Sequence, residues 1–363
     1  LYEKLGGNEQ NYLIGKQEWI DAYLSRLTSS NTVDQIVEDL KEVEQRVRED
    51  RIVSHVGRVA NFLERWMDLG EESFLRVLEK EMKPDQTVLN LKIRCIDPAP
   101  ISGEIVNGAY ASISMSATLS PIEMYRDLLA LDHAELLELD SPFSKEHQMT
   151  LVTPDVTSKY SARSPAMYGL IAKHIENVLH AADGRNALVF FPSYDFMENI
   201  LSKVQLGKLG RQVLKEQKQM TKEEKERFVA TFKEGGGLNQ RAKVLFAVTS
   251  GSFAEGLDLP EDLLELVIVV GLPLAVPDIY TQAVIEHFDK KFNKGQMYGY
   301  IYPAMTKIIQ AAGRCIRTER DKGVVVLMDH RFLWPFYGKA FPKHWHLLPS
   351  KEPEKDVESF FFS

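Results

Sequence analysis

The sequence is poor in cysteine and in long apolar runs, and each shortage argues against a class of protein. Cys95 and Cys315 are the two cysteines among 363 residues, and neither a CxxC spacing nor a paired histidine accompanies them. A metal site built within this chain is therefore disfavoured, and reduced cysteines in an intracellular protein fit better. No run of about 18 apolar residues occurs, so we expect no membrane-spanning helix.

Signals for nucleotide binding and for secretion are also missing. No GxxxxGK[ST] phosphate loop occurs, because "LIGKQ" has Gln10 where the first glycine belongs and Gln17 after the lysine. No acidic strand-end motif for magnesium is evident either. The sequence has no signal peptide and begins at Leu1, so we expect a processed chain, an internal fragment or an engineered chain.

Positive charge is in deficit overall but is concentrated in one stretch. The net charge of −8 argues against general binding of polyanions. Between Lys203 and Lys243, however, eleven basic residues occur with five glutamates. Because local potential decides whether a phosphate backbone is attracted, a nucleic-acid contact and a solvated helical face both fit this stretch.

Residues 1 to about 88 have the apolar periodicity of helices. Between Ser29 and Val47, apolar residues recur at helical spacing and acidic residues cover the other face. The stretches His55–Leu69 and Glu72–Met82 repeat this pattern. The spacing therefore predicts a small helical subdomain in which nothing indicates chemistry.

The pattern changes after Pro84 and again near residue 150. "VLNLKIRCI" and "YASISMSAT" predict short strands, and "SPIE" predicts a capped helix running to Leu131. Further apolar strands are predicted at 186–191, 243–248, 264–273 and 323–329. Their alternation with helices indicates a parallel sheet covered on both faces, which binds ligands beyond the carboxyl ends of its strands.

Three polar residues stand out in the apolar stretch "IIQAAGRCIR". Gln310, Arg314 and Arg317 are spaced by four and three residues, which places them on one face of a continuous helix. Two guanidinium groups on one face suit phosphate oxygens, and an arginine supplied to a transferring phosphoryl group accelerates that reaction by about 10³–10⁵. An amphipathic surface helix with unpaired arginines is the alternative.

The loop "TSGSFAEGLDLP" follows a predicted buried strand. Its glycines permit close approach of the backbone to a ligand, and Thr249 and Ser250 can donate hydrogen bonds to phosphate or sugar. Asp258 can accept from a ribose hydroxyl or hold an arginine. A plain connecting loop is the alternative.

Two further strand ends carry hydroxyl residues. Ser193 and Tyr194 follow one strand, and either can donate to a phosphate, while Tyr194 can also stack on a base. Ser116 and Thr118 follow another. Helix capping by Ser193, and local capping and turn bonding by Ser116 and Thr118, are the alternatives.

In order, these stretches resemble motifs III to VI of superfamily 2 helicases. The resemblance is carried by "MSATLSP", "LVFFPSYDFMENI", "VTSGSFAEGLDLP", "GLPLAVPDIYTQA" and "QAAGRCIR". "SFAEGLD", "GLP" followed by "IYTQA", and "DHRF" are more specific and resemble the XPD family of iron–sulfur DNA helicases. The preceding helices and "IRCIDPAPISGEIVN" resemble the later part of that family's Arch domain, so the resemblance covers nearly the whole chain.

The resemblance implies an α/β fold, a RecA-like parallel sheet covered by helices, with an N-terminal helical Arch-like subdomain. Residues 1–88 would be a partial Arch-like domain, and 89–120 the last strands of motor domain 1 and a linker. Residues 121–345 would be RecA-like motor domain 2, and 346–363 a C-terminal tail.

It also implies part of an ATP-dependent 5′→3′ DNA helicase used in DNA unwinding and nucleotide excision repair. By their match to the family motifs, the residues at its ATP site would be Gln310, Arg314 and Arg317, with Glu255, Gly256 and Asp258 beside the nucleotide. The residues holding single-stranded DNA would be Ser193, Tyr194, Thr249, Ser250 and Arg331. Ser116 and Thr118 would couple the two sites.

The implied cofactors are ATP and Mg²⁺, in a composite site whose P-loop half this chain lacks. Family members also hold a 4Fe–4S cluster through four cysteines that are absent here. The implied partners are single-stranded DNA, the missing half of the motor and repair-complex proteins, with no membrane.

The expected location is intracellular, in the cytoplasm or nucleoid if the source is prokaryotic. We expect the chain alone to bind single-stranded DNA weakly and to hydrolyse no ATP. The alternative is a non-catalytic RecA-like module that docks a partner protein. A nuclease finds no support, because no clustered Asp, Glu and His metal site is evident.

Overall fold

The computed structural model describes residues 11–26, 32–50, 54–83, 85–233, 242–251, 253, 263–316 and 318–362. The strands are β1 (Asn11–Leu13), β2 (Phe74–Met82), β3 (Thr87–Cys95), β4 (Gln148–Val152), β5 (Ala187–Phe191), β6 (Gln212–Lys215), β7 (Lys243–Val248), β8 (Leu266–Val270), β9 (Gly323–Met328) and β10 (Leu347–Pro349). The helices are α1 (Lys16–Leu24), α2 (Val33–Asp50), α3 (His55–Asp68), α4 (Ala99–Gly108), α5 (Ile122–Leu128), α6 (Pro165–Ala181), α7 (Tyr194–Leu201), α8 (Lys222–Lys233), α9 (Ile279–Phe292), α10 (Tyr302–Ala312), α11 (Pro335–Gly338) and α12 (Pro353–Phe362).

The chain divides into two units. The first consists of Leu1–Ser112, Arg126–His133 and Pro277–Gly295. The second consists of Ile113–Tyr125, Ala134–Val276 and Gln296–Ser363. The domain boundaries expected from the family resemblance stay a prediction.

The first unit packs helices with an antiparallel sheet of order β1-β2-β3. Its core contains Trp19 and Trp66, whose ring centroids lie 5.0 Å apart, together with Val37 and Leu63. Helices α2 and α3 confirm the amphipathic pattern of the sequence, because their apolar faces supply much of this core.

The helix predicted for Glu72–Met82 is wrong, since residues 74–82 form strand β2. This strand pairs with β3 along its whole length, from Phe74 opposite Cys95 to Met82 opposite Thr87. Cross-strand pairing therefore outweighs the helical spacing of the apolar residues. Arg76 on β2 is buried and its Nη2 donates to the carbonyl of Leu69 at 2.6 Å, so the strand also caps the end of α3.

Within the same unit, Asp97 connects the end of β3 to α9. Its carboxylate accepts from Lys291 Nζ at 2.6 Å and from His287 Nε2 at 2.9 Å, and from the backbone N–H of Ala99 at 3.0 Å. Burial by itself would raise the pKa of Asp97, but these hydrogen bonds outweigh burial and lower it. The carboxylate therefore stays ionised and holds α9 in place.

The second unit is built on a seven-stranded sheet of order β10-β4-β9-β8-β5-β7-β6. Every pair of neighbouring strands is parallel. One face is covered by α6, α7 and α12, represented by Ile175, Ile200 and Val357, and α10 packs on β8. This confirms the predicted parallel sheet with helices, and explains why its central strands are apolar throughout.

One other expectation needs correction. The strand predicted for "YASISMSAT" is absent: no strand includes these residues, and Ile113 and Met115 are exposed. A strand needs a hydrogen-bonded neighbour, and the described residues provide none here. The stretch 346–363 contains β10, which pairs with β4, and α12, which covers the sheet; its assignment as a C-terminal tail stays a prediction.

None of the helices that the structure describes combines the length and the apolar composition that a membrane crossing needs.

Candidate functional site

The carboxyl ends of the parallel strands bring several predicted site residues to one edge of the sheet in the second unit. Directly after β9, Asp329 is 0% exposed and pairs with Arg331, whose Nε and Nη2 donate to it at 2.9 and 2.8 Å. After β4, the backbone N–H of Ser158 donates to Asp329 at 2.8 Å, and the hydroxyl of Thr157 donates at 3.2 Å. Burial would raise the pKa of Asp329, but its hydrogen bonds and the charge of Arg331 lower it.

This network also reaches β8. The hydroxyl oxygen of Ser158 accepts from Arg331 Nη2 at 2.8 Å and from the backbone N–H of Leu272 at 3.2 Å. Gly271, with φ of +77°, leaves the space that the Ser158 side chain fills. Arg331, predicted to contact DNA, thus has its guanidinium engaged inside the protein, and a DNA contact by it stays a prediction.

Ser193 and Tyr194 lie at the end of β5 and the start of α7. The Ser193 side chain accepts from the backbone N–H of Phe196 at 3.3 Å, so it caps the helix as the alternative interpretation expected. Tyr194 is half-buried. Burial raises the pKa of its hydroxyl, and the charge and hydrogen bond of Glu216 raise that pKa further.

Thr249 and Ser250 lie beyond β7 and differ in accessibility. Thr249 is 1% exposed and its hydroxyl donates to the carbonyl of Phe191 at 3.2 Å, which ties the end of β7 to the end of β5. Ser250 is exposed in the turn that follows. Of the two hydroxyls, that of Ser250 is therefore the one open to a ligand.

The helix predicted to carry Gln310, Arg314 and Arg317 is shorter than the spacing of these residues predicts. Helix α10 ends at Ala312, a 3₁₀ turn spans Gly313–Cys315, and Ile316 is extended. The expectation that one continuous helix face carries Gln310, Arg314 and Arg317 is therefore wrong. Glycine has a low helix propensity, and the chain must leave the helix at this point to enter β9.

Gln310 and Arg314 are nevertheless positioned by buried neighbours. Ile309 and Ala312 pack in the core, and the Sγ atom of Cys315 lies 3.7 Å from the carbonyl oxygen of Val324 on β9. Gln310 is exposed and Arg314 is half-buried. Both present hydrogen-bond donors at the end of α10, and such donors suit an anionic ligand.

Ser116 and Thr118 make the local contacts that their alternative interpretation predicted. Their hydroxyls lie 3.2 Å apart, and the backbone N–H of Thr118 donates to the Ser116 hydroxyl at 3.2 Å. Ser116 is exposed. A role in coupling two sites stays a prediction.

Four predicted site residues lie outside the described residues, so the structure does not test them. They are Glu255, Gly256, Asp258 and Arg317.

Part of the basic stretch 203–243 is internal. Arg211 is buried and donates to the carbonyls of Leu179 at 2.7 Å and Ala182 at 2.6 Å, which caps the end of α6. Its burial lowers its pKa to about 10. Lys243 is buried too and donates to the carbonyl of Thr231. These two cations stabilise helix ends and do not face a nucleic acid.

Sequence reasoning missed Glu216 and the role of Asp329. Glu216 follows the edge strand β6 and is 2% exposed, with its carboxylate accepting from the backbone N–H of Val248 at 2.9 Å. Nothing in "VLKEQKQ" distinguishes it from a surface glutamate. Asp329 lies in the "DHRF" stretch, and an acidic residue directly after a buried strand was a usable signal.

Comparison with known proteins agrees with this geometry. Residues 175–347 match the helicase C-terminal domain family. The ATP-dependent DNA helicase XPD of Sulfolobus acidocaldarius is 30% identical over 231 residues, which cover 61% of this chain. The chain is thus similar to the C-terminal portion of XPD-family helicases. The ATP-dependent DNA helicase DinG of Photobacterium profundum is 31% identical over 259 residues, or 69% of this chain.

Solved structures show the same fold over more of the chain. An XPD helicase structure superimposes with a TM-score of 0.57 at 23% identity, covering 90% of this chain and 57% of that one. Xpd4 of S. tokodaii superimposes with a TM-score of 0.58 at 19% identity, covering 95% and 63%. The chain spans 39% of the Sulfolobus relative and 35% of the Photobacterium relative.

The candidate site has side-chain donors that suit phosphate. In the part of the chain that the structure describes, His, Cys, Asp and Glu side chains form no group of three that could hold a metal ion. Gln310 and Arg314 can donate to phosphate oxygens, and the guanidinium of Arg314 cannot bind Mg²⁺, which takes oxygen ligands. With two cysteines in all, the chain cannot by itself supply the four thiolates of a 4Fe–4S cluster.

Proposed function

We propose that this chain supplies the second motor half of an ATP-dependent 5′→3′ DNA helicase of the XPD type, acting in DNA unwinding and nucleotide excision repair. One observation carries the proposal. Polar residues from the ends of β5, β7 and β9 gather at the carboxyl edge of a parallel sheet, which is where such sheets bind ligands. The proposed activity is taken from the similar proteins, which are named ATP-dependent DNA helicases.

At the ATP site, Gln310 and Arg314 would donate to the nucleotide phosphates, together with Arg317. Glu255, Gly256 and Asp258 would lie beside the nucleotide. ATP supplies the transferable γ-phosphoryl group, and donors positioned beforehand favour the charge that develops on its oxygens. The P-loop and the Mg²⁺ ligands would come from the other motor domain.

Along the DNA path, Tyr194 and Ser250 would contact single-stranded DNA, with Ser193 at the start of α7 beside them. Stacking on aromatic rings and hydrogen bonds to the backbone are the usual means of holding a single strand. The side chains of Thr249 and Arg331 are engaged within the protein, so we assign them a supporting role at the strand ends. Ser116 and Thr118 would transmit the state of one site to the other.

The ATP site is tested with a P-loop motor domain added in trans to the purified chain, with single-stranded DNA present. We expect no ATP hydrolysis by the chain alone, and hydrolysis on addition of the second component. Arg314→Ala should lower that rate about 10³-fold or more, because a finger arginine is worth about that much. Arg320→Ala, which changes an exposed arginine in the next turn, is the matched control and should have little effect.

Two outcomes would contradict the proposal. ATP hydrolysis by the chain alone that Arg314→Ala abolishes would show that no second motor domain is needed. Assembly with the added domain but without hydrolysis would favour a docking module instead.

A further inference from the structure

An exposed tyrosine lies in the segment that follows β4 and also contains Ser158. Tyr160 is 84% exposed, so its ring contributes little to the hydrophobic core. It begins a 3₁₀ turn, Tyr160–Ala162, which is closed by the backbone N–H of Ala162 donating to the carbonyl of Lys159 at 2.9 Å. An ordered turn thus carries a ring that core packing does not explain.

Arg163 connects this turn to the Asp329 network and to α7. Its Nε donates to the carbonyl of Ser158 at 3.1 Å, and the backbone N–H of Ser158 donates to Asp329. The Cζ atom of its guanidinium lies 5.4 Å from the ring centroid of Tyr160 and 4.9 Å from that of Phe196 on α7. Both distances suit cation–π attraction, so Arg163 holds the Tyr160 turn beside the start of α7.

The segment 159–163 combines the two kinds of group that hold single-stranded DNA without reading its sequence. An open aromatic face stacks on a base, and nearby cations attract the phosphate backbone. Arg163 is exposed and uses its Nε–H for Ser158, so the remaining N–H groups of its fork can donate to a phosphate. Lys159 is exposed too and adds a second positive charge next to the ring. This surface therefore attracts an anion around an open ring.

We propose that Tyr160 and Arg163 bind one nucleotide of single-stranded DNA, with the base stacked on Tyr160 and the phosphate bound by Arg163. The proposal rests on the DNA path described under the proposed function and extends it from the ends of β5 and β7 to the segment after β4. Neither residue belongs to the motifs that carry the family resemblance. The contact of Arg163 with Phe196 makes the added site continuous with α7, where Tyr194 lies.

Binding of a fluorescent oligothymidylate and of an abasic strand of equal length to the full chain tests the stacking. We expect Tyr160→Ala to weaken oligothymidylate binding by about tenfold, because one stacked base is lost. Tyr160→Phe keeps the ring and should bind like the unchanged chain. Both variants should bind the abasic strand within about twofold of the unchanged chain, since that strand has no base to stack. Tyr110→Ala, the same substitution at another exposed tyrosine, is the matched control and should alter neither affinity.

The phosphate contact predicts a different pattern. Arg163→Gln should weaken binding of both strands, because both carry phosphate, and should make the dependence of log affinity on log salt shallower by about 0.7. Lys173→Gln, which removes an exposed positive charge from α6, is the control and should leave the salt dependence unchanged. The same salt dependence in Arg163→Gln and the unchanged chain would overturn the phosphate contact.

Unchanged oligothymidylate affinity in Tyr160→Ala would overturn the stacking, as would equal weakening on the two strands or loss of binding in Tyr160→Phe. Excess ATP distinguishes DNA from a free nucleotide as the source of the base. It should not displace oligothymidylate, and displacement that Tyr160→Ala abolishes would assign the ring to a nucleotide instead. If the unchanged chain binds neither strand, the proposed DNA path fails together with this site, whereas binding that both Tyr160→Ala and Arg163→Gln leave unaltered refutes this site alone.

Discussion

The substitution Asp329→Asn should destabilise the second unit strongly, because Asp329 is buried and pairs with Arg331. The substitution removes the charge that Arg331 meets at 2.8 Å and places an NH₂ group among donors from Ser158, Thr157 and Arg331. Removing one partner of a buried ion pair costs about 3–5 kcal/mol, because the remaining charge is left uncompensated. The free energy of opening the second unit should fall by that amount.

Hydrogen exchange under native conditions measures this loss in the sheet itself. Slowly exchanging amides of β4 and β9, which flank the network, should exchange about 10²–10⁴-fold faster in the variant. Asp195→Asn, the same substitution at an exposed residue in the first turn of α7, should cost no more than about 1 kcal/mol. Equal acceleration in the two variants would refute the claim that Asp329 and Arg331 hold the strand ends together.

Two more predictions concern stability. The pKa of Asp329 is lowered in the folded protein. The stabilisation by its carboxylate is therefore complete above the unfolded pKa of about 3.9 and is lost as pH falls through the folded pKa. The difference in unfolding free energy between the unchanged protein and Asp329→Asn, measured by denaturant unfolding, should be constant from about pH 8 to 5 and should close below about pH 4. A gap that stays constant down to about pH 2 would contradict this. Arg211→Met should destabilise the second unit by about 3 kcal/mol, since the carbonyls of Leu179 and Ala182 lose a charged donor. Amide hydrogen exchange at the end of α6 should also become faster. Lys208→Met, at an exposed position, is the control, and equal unfolding midpoints for the two variants would refute the capping role.

The strands of the parallel sheet were predictable because both faces of a parallel sheet are buried. In the sequence, strands β5, β7, β8 and β9 each appear as a short apolar run bounded by polar or glycine residues. Strands β4, β6 and β10 were missed. Strands β6 and β10 lie at the edges of the sheet, where partial exposure permits polar residues such as Gln212 and removes the signal. Strand β4 lies inside the sheet, but it is short and begins with the polar residue Gln148.

The errors have one physical origin, the dependence of local structure on distant partners. Residues 74–82 have helical spacing but pair with β3, and residues 111–118 have strand composition but no neighbouring strand in the described chain. The spacing of Gln310, Arg314 and Arg317 likewise predicted a helix that continues beyond Gly313, whereas α10 ends at Ala312. The sequence pattern indicates which secondary structures a segment can form, and the segments that pack against it in the fold determine which one it adopts.

The sequence by itself determined the fold class, the order of the motifs and the identity of Tyr194, Ser250, Gln310 and Arg314 as candidate site residues, because periodicity and strand-end position are local properties. Tertiary structure alone decided that Ser158 donates to Asp329 and that Glu216 accepts from the backbone of Val248. The partners in these contacts come from segments at the ends of different strands, as Ser158 and Asp329 do across 171 residues. A side chain's role depends on which groups surround it after folding, and the residue type alone does not specify them.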